Sequence, residues 1–422
     1  MSPTRLTLAA ALLLAAPAAG CKTDNPNFCD GPSCTDIDAH PIDAVQGCLE
    51  NPSLCTADQT CQNDVCVDCE DNDNTQSAQC TDPAAPVCAT DHTCRACTSD
   101  SECDSDWCEA GQCVAEEDVV YVQHGAADNA GCTLDDKCGS PIHGMSLVTA
   151  TRKYMLIAAD ASHYSLPAAL AINKDVEIRA TGATLDRPTG NQVVDVMGGA
   201  VIIEGLTVRD AAGGANADGI KCQNATLTLR HVGVFDCADR GVDAGNCVID
   251  ISRSVLSGNT MGGARLVDGH FSVSNSFIIM NGANGGLTLN PDATPNTFEF
   301  NTIMKNGGGG VVCAGDIAIT ARNNLIHSNT GPAETTGANC THSYTVFGPM
   351  GGPAGVMDRS LTAAEIGLVN ANGAIVDDFH INTNANPPSL LLGAADPATP
   401  ASVDYDGDPR TSPADIGADE VP

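Results

Sequence analysis

The sequence predicts an all-β protein whose larger part is a parallel β-solenoid, and three periodic series of residues predict it. A Gly before an aliphatic or small residue recurs every 22 to 24 residues, at Gly219, Gly241, Gly263, Gly286 and Gly310. Asp or Asn follows an apolar run in the same phase, at Asp210, Asp236, Asn259, Asn281, Asn306 and Asn329. Apolar pairs two positions apart come between them, at Val201/Ile203, Leu227/Leu229, Ile249/Ile251, Phe271/Val273, Phe298/Phe300 and Ile317/Ile319. Each period therefore holds three short strands, a pattern that specifies a parallel β-helix.

The side chains of these coils have two predicted roles. Alternate strand residues, such as Ile220 and Cys222, are expected to point into the bore and stack on their equivalents one coil away. Asn and Asp at the turns tolerate left-handed backbone and bond to the main chain. Stacked copies are therefore expected to form a ladder of side-chain amides along one edge.

The coil pattern, best seen from Gly241 to Asn329, resembles the right-handed parallel β-helix repeats of the pectin-lyase-like superfamily. The segment from Ala171 to Gly182 resembles the first-coil signature of the same proteins. This resemblance implies a right-handed solenoid with three strands per coil over 118–386. It implies little about activity, because the scaffold serves lyases, hydrolases, adhesins and structural proteins.

The solenoid is expected to begin behind an N-terminal cap. A strand is predicted over 119–122, a short helix over 141–151 and further strand over 154–157. The helix would cover the open end of the first coil, which otherwise exposes apolar residues and strand edges.

The first twenty residues predict an export signal. Arg5 provides a basic start, an apolar run follows from Leu6 to Ala16, and small residues lead into Cys21. This ending resembles a bacterial lipobox, which implies that Cys21 is lipidated and anchors the exported protein to the cell envelope, at the outer-membrane surface. The alternative is an ordinary cleaved signal with Cys21 free or bridged. Residues 21–47 are predicted to be a flexible tether.

Residues 48–115 are predicted to be a small disulfide-rich region. Its twelve cysteines divide into three sets of four, Cys48, Cys55, Cys61, Cys66, then Cys69, Cys80, Cys88, Cys94, then Cys97, Cys103, Cys108, Cys113. The segment follows an export signal and has little apolar content, so bridges are favoured over zinc. It loosely resembles short cysteine-rich repeats of secreted proteins from predatory soil bacteria, which implies a spacer.

The remaining cysteines give a mixed expectation. Cys132 and Cys138 are close enough in sequence to pair, and the five that follow leave at least one free. Cys222 and Cys313 have the inward phase and are expected to be buried apolar residues.

Composition limits the partners. The net charge is −34 and aromatic residues make up 3% of 422 positions. An acidic surface repels nucleic acid, so nucleic acid is excluded as a partner. The membrane contact is expected only through the N-terminal lipid, and the protein is expected to be a monomer.

A catalytic site is only weakly indicated. The paired-carboxylate motifs of polygalacturonase-like hydrolases are absent from the sequence. A pectate-lyase-like enzyme needs carboxylates that hold Ca²⁺ and a Lys or Arg base. The residues of those types that cluster are Asp218, Lys221, Asp236, Arg240 and Asp243. The alternative is ordinary turn chemistry on an outward face, and the scattered histidines, His342 among them, show no ligand spacing.

The predicted C-terminal closing segment, 387–422, contains Asp404-Tyr405-Asp406-Gly407-Asp408 and ends near Asp415-Ile416-Gly417-Ala418. It resembles the closing segment of surface β-helix proteins of the choice-of-anchor Q type, which implies display at the cell surface. Asp404, Asp406 and Asp408 could bind a structural Ca²⁺ or form an ordinary Asp-Gly turn.

These features together favour a surface-displayed, non-catalytic β-helix lipoprotein with a structural or adhesive role and contact to polysaccharide or cell-surface glycan. No cofactor is required, and a structural calcium ion could bind. The alternative is a Ca²⁺-dependent polysaccharide lyase acting on uronate polymers.

Overall fold

The computed structural model describes residues 48–49, 52–56, 59–63, 65–70, 73–180, 182–353, 355–371, 373, 375–399 and 403–421. The predicted signal, Cys21 and the tether over 21–47 lie outside these residues. The described chain divides into two compact units, one up to Glu70 and one from residue 73 onward. None of the helices in these ranges is long and apolar enough to cross a membrane.

The larger unit is an all-β parallel solenoid of three sheets, in which each strand pairs with its equivalents one coil before and after. Sheet A has eight strands, Leu170–Ile172, Val194–Val196, Ile220–Gln223, Arg240–Gly245, Gly262–Val267, Leu287–Asn290, Val311–Cys313 and Thr335–Thr336. Sheet B has ten, Val119–Val122, Tyr154–Ile157, Val176–Arg179, Ala200–Glu204, Thr226–Arg230, Val248–Ser252, His270–Ser274, Thr297–Glu299, Ile319–Arg322 and Cys340–Ser343. Sheet C has ten, Tyr164–Ser165, Thr184–Asp186, Thr207–Arg209, Gly233–Phe235, Val255–Ser257, Phe277–Ile279, Thr302–Met304, Leu325–His327, Val346–Phe347 and Arg359–Ser360.

Alternate residues of every strand fill the bore, as predicted. In sheet A, Ile220 lies in register with Val194 and Val242, and Leu287 with Ala264 and Val311. All are buried. The alternation continues through sheets B and C, so one continuous apolar core runs along the solenoid.

The predicted apolar pairs of sheet B are wrong in the last coils. Val273 lies opposite Phe298, and Phe298 lies opposite Ala321, so the inward pair of the following coil is Ile319 and Ala321. Phe300 stands outside the bore, at a corner with a φ of 56°. The error arose because Asn296 lies opposite Phe271 in the next coil and faces the bore. The predicted apolar pair passes over this polar residue and is therefore shifted by two positions.

The amide ladder forms in the second half of the solenoid. Asn259 Nδ2 donates to Asn281 Oδ1 at 3.0 Å, and Asn281 Nδ2 donates to Asn306 Oδ1 at 3.0 Å. Asn306 Nδ2 donates to Asn329 Oδ1 at 2.9 Å, and Asn329 Nδ2 donates to Glu334 Oε2 at 2.7 Å. Burial raises the pKa of Glu334, and its carboxylate ends the ladder.

Asp210 and Asp236 are not members of this ladder, contrary to the prediction. They occupy the corner one position earlier, each with a φ of 56°, and their carboxylates pair with Arg209 at 2.8 and 3.2 Å. The position equivalent to Asn259 in the preceding coil is Cys237, whose N–H donates to Asn259 Oδ1 at 3.1 Å.

A second polar ladder, which the sequence analysis missed, runs along the corner between sheets B and C. Ser254 N donates to Ser276 Oγ, Ser276 N to Asn301 Oδ1, and Asn301 N to Asn324 Oδ1, at 2.9 to 3.1 Å. These side chains are buried. They satisfy backbone amides that the turn leaves without a carbonyl partner.

The N-terminal end is capped as expected. The helix spans Pro141–Leu147, four residues shorter at its C-terminus than the predicted 141–151. It starts where Ser140 Oγ accepts a hydrogen bond from His143 N, and ends where Val148 turns extended. Gly144 lies so close to sheet B that a Cβ there would be 2.8 Å from the Val122 side chain.

The chain leaves the solenoid earlier than the predicted boundary at 386. The last coil strand is Arg359–Ser360, and the rest contains the short helix Ala363–Ile366 and the 3-10 turn Val376–Phe379. This C-terminal segment, 361–421, packs on the outer face of sheet C, where a second apolar core forms from Val255, Phe277, Ile279, Met304, Leu325, Ile366, Phe379, Ile381, Leu391 and Ile416. From Val255 onward the outward residues of sheet C are mostly apolar because this segment covers them, whereas the earlier strands present Thr184, Thr207 and Arg209.

The cysteine-rich region is built from short antiparallel hairpins held by disulfides. The hairpins are Thr60–Gln62 with Val65–Val67, Val87–Cys88 with Cys94–Arg95, and Cys108–Glu109 with Gln112–Cys113. Three 3-10 turns accompany them, Pro52–Leu54, Asp100–Glu102 and Glu116–Asp118. The bridges are Cys48–Cys61, Cys55–Cys66, Cys80–Cys94, Cys97–Cys108 and Cys103–Cys113, and Cys69 and Cys88 are also disulfide-bonded.

The last cysteine module, 97–113, is not a free spacer. Trp107 is fully buried in a cluster with Val119 and Tyr121. Arg179 of sheet B lies 4.2 Å from the Trp107 ring and forms ion pairs with Asp100 and Glu109 at 2.5 and 2.7 Å.

Disulfides also occur inside the solenoid, which corrects the expectation for Cys222 and Cys313. Both are buried, but Cys222 is bonded to Cys247 and Cys313 to Cys340, with sequence separations of 25 and 27 residues. Each bridge joins sheet A to the start of sheet B across one corner. Cys132 is bonded to Cys138, and Cys237 is the free cysteine of the described chain.

Candidate functional site

The outer face of sheet A carries a row of alternating charge. Asp195, Lys221, Asp243 and Arg265 occupy the same outward position on four successive strands. Adjacent strands lie about 4.8 Å apart, so every charge has an opposite charge as its nearest neighbour along the row. Arg265 Nη1 contacts Asp243 Oδ1 at 3.0 Å.

Asp218 lies at the start of this face and is only 1% exposed. Its Oδ1 accepts a hydrogen bond from Arg240 N, one coil away, at 3.2 Å. Burial, together with the nearby charge of Asp243, raises the pKa of Asp218 to about 6. Asp218 therefore joins consecutive coils through this hydrogen bond.

Arg240 is oriented by a different carboxylate. Its Nη1 lies 3.4 Å from Asp239 Oδ1, and Asp239 Oδ2 accepts a hydrogen bond from Asn216 N at 2.9 Å. The guanidinium is thus held beside the entrance to the strand rather than extended over the centre of the sheet.

Four of the five residues predicted from sequence therefore come together: Asp218, Lys221, Arg240 and Asp243. Asp236 does not join them, because it follows the sheet C strand Gly233–Phe235 and pairs with Arg209. The sequence analysis missed Asp195 and Arg265, although each occupies the outward position directly after an inward residue of a sheet A strand.

Sheet B presents a different outer surface. Ser272, Thr297, Thr320 and Thr341 occupy one outward row on four successive strands. The row is a set of hydroxyl groups with the spacing of the coils. We call it the hydroxyl row.

A shallow groove lies at the corner between sheets A and B. Its volume is about 500 Å³, and its lining includes Asn224, Thr226, Asn246, His270 and Asp292. Asn246 Nδ2 donates to Asn224 Oδ1. Amide, hydroxyl and imidazole groups therefore line a surface directly beside sheet B, and we call it the A–B groove.

The predicted calcium residues near the C-terminus have separate surroundings. Asp404 is buried, and its two oxygens accept hydrogen bonds from the backbone N–H groups of Gly407, Asp408 and Glu420, at 2.8 to 3.0 Å. The Asp406 carboxylate contacts His380 Nε2 at 3.0 Å. This geometry is that of an Asp-Gly turn. Calcium binding by these residues remains a prediction, and equilibrium dialysis of the protein against Ca²⁺ would test it.

Comparison with known proteins agrees with the fold. A family model described as the right-handed beta helix region matches residues 193–347. The chain is similar to the crystal structure of pectate lyase Pel9A, with 14% sequence identity and a TM-score of 0.42, over 72% of this chain and 96% of that chain. The search of curated proteins gave no match. Residues 193–347 thus form a right-handed β-helix.

Proposed function

We propose that this is a surface-displayed, non-catalytic β-helix protein, carried by a lipid on Cys21, that contacts polysaccharide or cell-surface glycan along sheet B. The observation that carries the proposal is the hydroxyl row beside the A–B groove. Hydroxyl, amide and carboxylate groups on a flat, elongated face suit the hydroxyl groups of a sugar chain. Several weak hydrogen bonds repeated along successive coils would then add up to useful affinity.

The other two faces support this choice. The C-terminal segment, 361–421, covers sheet C from its Val255–Ser257 strand onward. On sheet A the charges alternate, Arg265 pairs with Asp243, and Asp218 accepts the Arg240 amide. Paired charges on sheet A offer less to a new ligand than the hydroxyl row on sheet B, of which Ser272 bonds to Asp250 of the preceding coil.

Binding of the purified protein to an immobilised panel of neutral and acidic glycans tests the proposal. Thr320→Arg places a long side chain in the hydroxyl row and is expected to weaken binding about tenfold or more, equivalent to about 1.4 kcal/mol. Thr288→Arg is the matched control, because Thr288 has the same outward position on sheet A. Equal effects of both substitutions, or no binding to any glycan, would reject the assignment to sheet B.

A second candidate function is a Ca²⁺-dependent lyase acting on uronate polymers. One observation favours it: Asp218, whose pKa is raised, lies near Asp243 on the face that also carries Lys221 and Arg240. Carboxylates of this kind could hold Ca²⁺ against a uronate, and a basic residue could remove the adjacent proton.

The lyase candidate has a direct assay. The protein is incubated with uronate polysaccharides with and without Ca²⁺, and unsaturated products are followed by ultraviolet absorbance. A lyase would show a Ca²⁺-dependent rise that Lys221→Ala or Arg240→Ala abolishes and that Asp236→Ala, at the corner where Asp236 pairs with Arg209, leaves intact. A flat trace rejects the lyase on those substrates and leaves the binding proposal standing.

A further inference from the structure

Near the C-terminal end of the bore, two cysteines and a histidine from neighbouring coils lie side by side. Cys313 ends its sheet A strand, and Cys340 and His342 both point inward from the final sheet B strand. The Cys313–Cys340 disulfide joins the two sheets. The two sulfur atoms and a ring nitrogen of His342 all lie within 4.8 Å of one another.

His342 is an unusual residue for this position. It is 3% exposed, and within the described structure neither of its ring nitrogens has a hydrogen-bond partner. Its ring packs edge-on against Phe347, with the centroids 5.1 Å apart. A buried polar group without a partner destabilises a fold, so a purely structural role would be better served by an apolar side chain.

The ring nitrogens of His342 are available for metal binding. A neutral imidazole binds a metal ion through the lone pair of a ring nitrogen. Neither ring nitrogen of His342 is engaged by another group within the described residues.

We propose that, when the Cys313–Cys340 disulfide is reduced, Cys313, Cys340 and His342 form a binding site for a thiophilic divalent metal ion such as Zn²⁺. This end of the bore would then have two alternative closures, a disulfide under oxidising conditions and a metal bridge under reducing conditions.

The chemistry of the three side chains selects the class of ion. Two thiolates cancel the charge of a divalent cation, so the bound site is neutral and compatible with an apolar bore. Sulfur and imidazole ligands favour zinc and similar transition metals over calcium or magnesium, which prefer oxygen. Three protein ligands leave a tetrahedral ion one further position, which water fills in zinc sites of this composition.

With a phosphine as the reductant, the conversion of the Cys313–Cys340 disulfide to two thiols is balanced in atoms and electrons. The phosphine attacks one sulfur, the S–S bond breaks, and water supplies the oxygen of the phosphine oxide and the two protons of the thiols. The metal ion then binds both sulfurs, and the two thiol protons are released to solvent.

The chain contains its own control. Cys222–Cys247 also joins sheet A to the start of sheet B within the same bore. The strand after Cys247, Val248–Ser252, contains no histidine. Of the two thiol pairs that reduction would produce between sheets A and B, the Cys313–Cys340 pair has an imidazole within 4.8 Å. The Cys132–Cys138 pair at the cap lies beside His143 and is unchanged in every variant of the test.

The test measures Zn²⁺ bound per chain by the full protein, reduced with a phosphine and dialysed, using elemental analysis. Replacement of bound zinc by Co²⁺ reports thiolate ligation through its absorption spectrum. His342→Ala, and Cys313→Ser with Cys340→Ser, are each expected to lose one bound ion relative to the unsubstituted chain. Cys222→Ser with Cys247→Ser is expected to lose none, and the other reduced cysteines contribute equally to all samples.

His342→Phe keeps an aromatic ring against Phe347 and serves if His342→Ala fails to fold. Loss of one ion in His342→Phe, with unchanged circular dichroism, supports the site. Unchanged metal content in the His342 variants, or the same loss in both cysteine pairs, overturns it.

Discussion

Replacement of the buried Arg410 tests whether the C-terminal segment is part of the folded unit. Arg410 is 4% exposed, and its guanidinium donates to Asn275 Oδ1 at 2.9 and 3.1 Å and to Gly417 O at 2.8 Å. It also lies 3.3 Å from a Glu420 oxygen and 4.2 Å from the centre of the Phe300 ring. Arg410 thus ties the outside of the solenoid to the last residues of the chain.

Arg410→Met keeps most of the apolar volume and removes the charge. It leaves the Glu420 carboxylate, which is 2% exposed, without its cation. Breaking a buried ion pair in this way costs about 3–5 kcal/mol. The matched control is Arg322→Met, which removes an ion pair with Glu299 whose side chains are 28% and 25% exposed. That change is expected to cost at most about 1 kcal/mol.

The assay is urea unfolding of both variants, combined with hydrogen exchange resolved along the chain. Arg410→Met should lower the midpoint far more than Arg322→Met, and protection should fall first across 391–418. Equal midpoints in the two variants would refute the reasoning. Fast exchange across 391–418 in the unsubstituted protein would do the same, because it would show that this segment is not docked.

Three further predictions follow from other contacts. Asn281→Ala should lower the free energy of unfolding by about 1–3 kcal/mol, because Asn259 N and Asn259 Nδ2 both lose their acceptor; urea unfolding checks this. Arg179→Ala should expose Trp107, the only tryptophan, and shift its fluorescence to longer wavelength while the disulfides stay intact; an unchanged spectrum would contradict the docking of the last cysteine module. Asp218 has a pKa raised from 3.8 to about 6 by folding, so its contribution to stability is present below about pH 4 and is lost as pH rises through 6. Asp218→Asn should remove this loss, which unfolding curves between pH 4 and pH 7 would reveal as a smaller decline.

Sequence periodicity predicted the coils well because each strand has to satisfy the same two constraints, an inward apolar residue and a turn that closes the coil. The Gly series located the sheet A strands, and the Asn series located the ladder from Asn259 to Asn329. It failed at Asp210 and Asp236, because the left-handed corner and the ladder position are neighbours along the chain. Periodicity does not distinguish the two positions, since Asp236 at the corner and Asn259 in the ladder both follow an apolar run in the sequence.

Other features depend on contacts between distant residues and could not be read from period or composition. The Cys222–Cys247 and Cys313–Cys340 bridges link residues one coil plus one turn apart. The cover over sheet C begins at Leu361, where the chain still lacks any strong compositional change. Asp195 and Arg265 are visible in the sequence as charged residues, but the sequence does not show which residues lie beside them. The register of sheet A places Asp195 next to Lys221 and Arg265 next to Asp243.

The positions of the two docked segments decide which surface can meet a ligand. The C-terminal segment covers the later coils of sheet C, and Arg179 holds the last cysteine module against the first coils of sheet B. These two segments therefore leave the outer face of sheet B open from its Ala200–Glu204 strand onward. The hydroxyl row and the A–B groove lie within that part of the sheet. If the cysteine module borders the glycan-contacting face, Arg179→Ala should alter glycan binding as well as Trp107 fluorescence. If it serves only as a cap, the fluorescence should change and binding should not.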